Sequence, residues 1–261
     1  MPQRLSRSLK HEYELFVERE IEDYKESIPR SALLKVGDEA VASLAAQSQL
    51  ALTELLLCEE VDRIIRARLR LPSYQTWRRR RVKAIEELRR PERWGLTADH
   101  VLVREVRPSL DGRVLVAGTA AQESALFLAA NGCDVTAIND EADAIMRVLQ
   151  AAEEAGLADR IELRPGGLGG WEPAEPLVAV VCSSDALTGL SMGERARVID
   201  VLQSATRDGG VHLVETIAAG ATAPALEELR DRYAGWTVTV EAGAADQTGG
   251  ATTFLARKGI S

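Results

Sequence analysis

The sequence predicts an α/β protein: a mostly parallel sheet covered by helices, preceded by an all-helical N-terminal region. Three observations lead there. Gly112 to Asp140 reads GRVLVAGTAAQESALFLAANGCDVTAIND, which is a strand, a tight turn, a helix and a second strand in quick succession. Such βαβ units imply parallel strands with helices on their faces. Strand-like and helix-like segments then alternate to the end of the chain, whereas the stretch before Leu96 has helical spacing and no strand-like run. The division expected is a helical region over residues 1–95 and an α/β domain over 96–261.

In chain order, Ser8 to Ile28 carries Leu9, Tyr13, Phe16, Ile21 and Tyr24 near helical spacing, and Pro29 ends it. Ser31 to Val36 is expected to be short, because Gly37-Asp38 punctuates. From Glu39 the pattern runs to about Leu71, long for one helix, with a break expected near Gln47 to Gln49. Pro72 and Ser73 open a helix to about Arg90, closed by Pro91. Thr97 is expected to cap a last helix, Ala98 to Val106.

Arg113 to Ala117 is an apolar run after a glycine and reads as a buried strand. Glu123 to Ala130 is a helix stopped by Gly132, and Cys133 to Ile138 the second strand. A helix over Asp143 to Ala155 and strands over Arg160 to Arg164 and Leu177 to Cys182 follow. Ser191 and Glu194 form a capping box for the next helix. Asp208-Gly209-Gly210 turns into a strand over Val211 to Ile217. A helix over Thr222 to Tyr233 precedes a closing hairpin, Trp236 to Glu241 and Ala251 to Arg257.

The words around Gly112 to Asp140 resemble the opening of the class I S-adenosylmethionine (SAM) methyltransferases. ALFLAANGCDVTAIN especially resembles the small-molecule branch that includes the thiopurine and tellurite-resistance types. The resemblance covers roughly Leu96 to Lys258. It implies a Rossmann-like, seven-stranded methyltransferase fold with an antiparallel C-terminal hairpin. It also implies a SAM cleft built from an acid ending the first strand, a G-x-G-x-G loop, and an acid ending the second strand that holds the ribose. Those places fall here on Val116, on Gly118, Ala120 and Gln122, and on Asn139, with Asp140 one place late. The adenine-contacting acid falls on Gly167. Ser183 and Asp185 follow the fourth strand, where relatives present substrate-facing groups. If the cleft is used, Gly118, Ala120, Gln122, Asn139, Asp140 and Ser183 are the cofactor-binding set. Each missing group is expected to cost about 1–3 kcal/mol of binding.

Elsewhere the chain is read more plainly. Glu12, Glu14, Glu18, Glu20, Glu22, Asp23, Glu54, Glu59, Glu60 and Asp62 make the helical region acid-rich. It lacks the E-x-x-H pair of a di-metal helical site, so a solvated, ion-paired face is expected and no metal. Arg78, Arg79, Arg80 and Arg81, framed by Trp77 and Trp94, form a basic segment. It suits an acidic protein partner or an anionic membrane surface, with pairing to the acidic helices as the plainer alternative. Cys58, Cys133 and Cys182 fit neither a zinc site nor a disulfide framework. His212 sits inside a strand, where a core or edge role is commoner than catalysis.

With 261 residues and a formal net charge of −8, the chain has room for a sizeable core and argues against a nucleic-acid binder. No window approaches the ~18 apolar residues of a membrane span. A cytoplasmic protein is expected, with peripheral attachment to the cytoplasmic face of a membrane complex as a variant. Two functions follow. The first is a methyltransferase-fold protein with a degraded SAM site, a non-catalytic binding or structural subunit without cofactor. The alternative is an active SAM-dependent methyltransferase acting on a small molecule.

Overall fold

The computed structural model describes residues 8–45, 54–106, 112–118, 121–217, 226–242 and 252–260. The chain folds as two compact units, Met1–Ala84 and Ile85–Ser261.

The first unit is helical: α1 (Leu9–Ser27), α2 (Arg30–Ala45), α3 (Glu54–Arg68) and the start of α4 (Tyr74–Leu88). Ser8 caps α1, its hydroxyl accepting from the His11 N–H at 3.2 Å. Ile21, Val36 and Ile65 form the buried centre. The short helix expected at Ser31 to Val36 instead continues to Ala45. Val36, Ala40 and Leu44 are buried on one stripe, and that burial carries the helix across Gly37. The break expected near Gln47 to Gln49 lies outside the described residues. Tyr13 joins α1 to the start of α4: its hydroxyl donates to the Pro72 carbonyl at 2.8 Å, and its ring lies 5.4 Å from Tyr74 and from Trp77. No residue of α4 is fully buried.

The second unit carries seven strands: β1 (Arg113–Ala117), β2 (Asp134–Asn139), β3 (Ile161–Pro165), β4 (Leu177–Ser183), β5 (Thr206–Ile217), β6 (Thr237–Ala242) and β7 (Thr252–Arg257). They lie in the order β3-β2-β1-β4-β5-β7-β6. The first five are parallel, and β7 is antiparallel to both neighbours. The helices are α5 (Ala121–Ala130), α6 (Ala142–Ala155), α7 (Met192–Ala205) and α8 (Leu226–Arg232). Val114, Val116, Phe127 and Val135 belong to one core layer, with α5 and α6. Leu115, Ala117, Val180 and Leu202 belong to the other, with α7. Such alternation is what a parallel sheet covered on both faces requires.

Two expectations are corrected at their edges. The helix expected over Ala98 to Val106 is one π turn, Leu102–Val106. His100 explains this, since its Nδ1 accepts from the Leu102 N–H at 3.3 Å and offers the backbone a competing partner. β5 begins at Thr206 rather than after the glycines. The Asp208-Gly209-Gly210 turn is absorbed as a break in register, with Leu177 facing Thr206 and Ala179 facing Val211. Of the helix expected over Thr222 to Tyr233, the first four residues lie outside the described residues and Leu226–Arg232 is helical. The Ser191–Glu194 capping box forms with both of its bonds.

Candidate functional site

The sheet order reverses between β1 and β4, and in open α/β sheets ligands bind outside the carboxyl ends of strands at such a point. Gly118, directly after β1, has φ +96°. A Cβ there would collide with the Ser183 hydroxyl and lie 3.0 Å from Asp185 Oδ1. Only glycine fits, because both the backbone angle and the space exclude a side chain. Ser183 is buried, and its hydroxyl donates to the Ala117 carbonyl at 3.4 Å.

Asn139 ends β2 and is also buried, at 6% exposure. Its Nδ2 donates to the Gly118 carbonyl at 3.0 Å, and its Oδ1 accepts from the Glu141 N–H at 2.8 Å. The amide therefore ties the loop after β1 to the approach to α6. Asp140 is exposed, and Gln122 is half-buried in the first turn of α5. Ala120 lies outside the described residues. Val116 is a core residue at 1% exposure, packed with the α5 layer. Gly167 is exposed, with nothing within 4 Å of an added Cβ. Gly118, Asn139, Ser183 and Asp185 are thus brought together at one edge.

This fold is shared with known proteins. Two solved structures superpose with a TM-score of 0.50. The N-methyltransferase NodS from Bradyrhizobium japonicum WM9 is 18% identical, over 63% of this chain and 100% of that one. TehB from Haemophilus influenzae is 19% identical, over 64% of this chain and 65% of that one. The fold is that of the class I SAM-dependent methyltransferases. No protein-family profile and no curated protein matches the chain.

Within this methyltransferase fold, one acid–base group was missed by the reading of the sequence. Glu215 on β5 stands opposite Ser183 on β4, is 7% exposed, and has Oε1 3.4 Å from His100 Nε2. Because His100 Nδ1 accepts from a backbone N–H, the ring proton of the neutral form sits on Nε2, facing that carboxylate. Burial, and then repulsion from Glu123, pushes the Glu215 carboxyl up to about 7. Burial lowers His100 as well. The signal was one glutamate inside the apolar run Val211 to Ile217.

The remaining sites are plainer. Burial, with the nearby Asp185 and Glu215 charges, pushes the Cys182 thiol up to about 12, so it is not a nucleophile at neutral pH. No group of metal-binding side chains occurs among the described residues. Trp77 packs on Tyr13 and Phe16 within the first unit. Trp94, in the second, donates its ring N–H to the Leu88 carbonyl at 2.7 Å. Arg78, Arg79, Arg80 and Arg81 are exposed on α4, and Arg81 pairs with Glu12 at 3.1 Å. No described helix is long and apolar enough to cross a membrane.

Proposed function

We propose that this methyltransferase-fold chain does not bind SAM and acts as a non-catalytic binding subunit, its contacts carried by the basic α4. One observation carries the reading most: the Asn139 amide, at the ribose position of the fold, is engaged by the protein's own Gly118 carbonyl and Glu141 N–H. A ribose would have to share or displace those bonds, and Asn is in any case a neutral acceptor where a carboxylate binds about twice as strongly. Val116 and Gly167 supply no charge at their places. Losses of ~1–3 kcal/mol at each of these three places remove roughly 3–9 kcal/mol from the ~8 kcal/mol of a micromolar complex.

The chemical test is a melting experiment with S-adenosylhomocysteine at about 1 mM. A ligand with a Kd near 10 μM would stabilise by about 2.7 kcal/mol, a shift of roughly 5–10 °C; no shift is expected. The partner test is co-purification from the native host at low salt. Arg79→Glu with Arg80→Glu is expected to lose the co-purifying protein while remaining folded. Unchanged recovery would reduce the basic helix to a solvated face.

The alternative, an active methyltransferase on a small molecule, is favoured by one feature. The Glu215–His100 pair is an acid–base group at the carboxyl end of the sheet. Turnover of any methyl acceptor, lost in Glu215→Gln, would establish that reading.

A further inference from the structure

Acid and base are segregated within the first unit. A groove of about 470 Å³ runs between α1 and α3, within the size range of clefts that hold ligands. Glu14, Glu18 and Glu22 stand on its α1 side, and Glu59 and Asp62 on its α3 side. Lys25 answers Glu22 and Asp62, each at 2.8 Å. Among the described residues, the ion-pair partner of Glu14 is the exposed His11, at 3.9 Å. Glu18 and Glu59 have no ion pair among the described residues. The two arginines of the groove are already held: Arg63 by Glu60 at 2.5 Å, and Arg66 by the Tyr13 hydroxyl. Val17 and Ile21 supply an apolar floor.

The same chain carries the complement. Arg78, Arg79 and Arg80 are exposed on α4 and have no ion pair among the described residues. Of the run, Arg81 reaches a described acid of this unit, Glu12. Within one copy, the acidic groove and the arginine run thus leave each other unanswered. Arginine suits such a groove, because its stem covers apolar surface while the guanidinium binds carboxylates in pairs.

We propose that the exposed turn of α4 carrying Arg78, Arg79 and Arg80 in one copy docks in the α1–α3 groove of a second copy, and reciprocally, forming a two-fold dimer. A self-complementary pair of patches is what a two-fold interface needs, and each contact is made twice. The inference rests on the reading of α4 as the contact-bearing element and names its partner.

The test is sedimentation equilibrium of the full chain. A dimer is expected at about 50 mM salt, with its Kd raised tenfold or more at about 500 mM, because exposed charge pairs are screened. Glu18→Arg with Glu59→Arg, and separately Arg79→Glu with Arg80→Glu, are each expected to be monomeric with unchanged helix content. Mixing the two variants is expected to restore a dimer holding one of each, since each basic surface then meets an acidic one. A wild-type monomer at all salt concentrations overturns the proposal, as does a dimer indifferent to both variants, or a mixture that stays monomeric. A monomeric chain whose arginine variant still loses a co-purifying protein overturns self-pairing alone and leaves the partner reading intact.

Discussion

At the residue scale, Asn139 decides most. Restoring an acid there would ordinarily be expected to improve ribose binding. Here Asn139→Asp removes the Nδ2 donor and points a carboxylate at the Gly118 carbonyl. The variant is expected to lose about 1–3 kcal/mol of stability and gain no SAM affinity, read by denaturation and by titration. Tighter SAM binding in this variant would contradict the proposed role of the amide. Two buried titrating groups set opposite pH trends. The Glu215 carboxyl, ordinarily near 4.5, is held near 7 in the fold, so the native state keeps a proton the unfolded chain has released. Its contribution is therefore lost as pH rises from about 4.5 to 7. His212 bonds Thr206 Oγ1 at 2.7 Å and the Tyr233 hydroxyl at 2.6 Å, and burial depresses it from 6.5 to about 3. Its contribution is lost as pH falls below about 6.5. Each term is worth about 1.4 kcal/mol per pH unit inside its window. Glu215→Gln is thus expected to remove the loss between pH 5 and 7 and to leave the acid-side loss. An unchanged stability profile in that variant would place the Glu215 titration elsewhere.

At the scale of elements, most of the second unit was legible because its signals are local. β1 lies at Arg113–Ala117 as its apolar run requires, and the capping box opens α7. Two errors trace to contacts that the hydrophobic pattern and turn residues do not report. Gly37 reads as a stop, yet a stripe of buried residues on both sides holds α2 straight through it. An added Cβ there meets nothing within 4 Å, and the backbone is helical, so Gly37→Ala is expected to stabilise the first unit by about 1 kcal/mol. Chemical denaturation followed by far-UV circular dichroism would measure it, and a destabilised variant would deny the continuous helix. His100 failed the other way: the local pattern is helical, but its imidazole takes the Leu102 N–H and reaches Glu215, 115 positions away.

At the scale of the whole molecule, fold and site were not equally legible. The seven-stranded order follows from alternation of strands and helices, which composition and turn residues report. Which groups meet at the carboxyl edge does not follow from motif spacing alone. Gly118 was visible as a loop glycine, but not its tight fit against Ser183 and Asp185. Asn139 was visible as a substitution for an acid, but not its two bonds to the protein's own backbone. On the proposed reading, fold and function part because the sheet needs apolar strands, whereas a cofactor needs a few polar groups left available. The decisive measurement is isothermal titration calorimetry of the full chain with S-adenosylhomocysteine. A cleft closed on itself through Asn139 gives no saturable heat up to about 1 mM, whereas a single-site isotherm with a Kd of about 10 μM or below would contradict it.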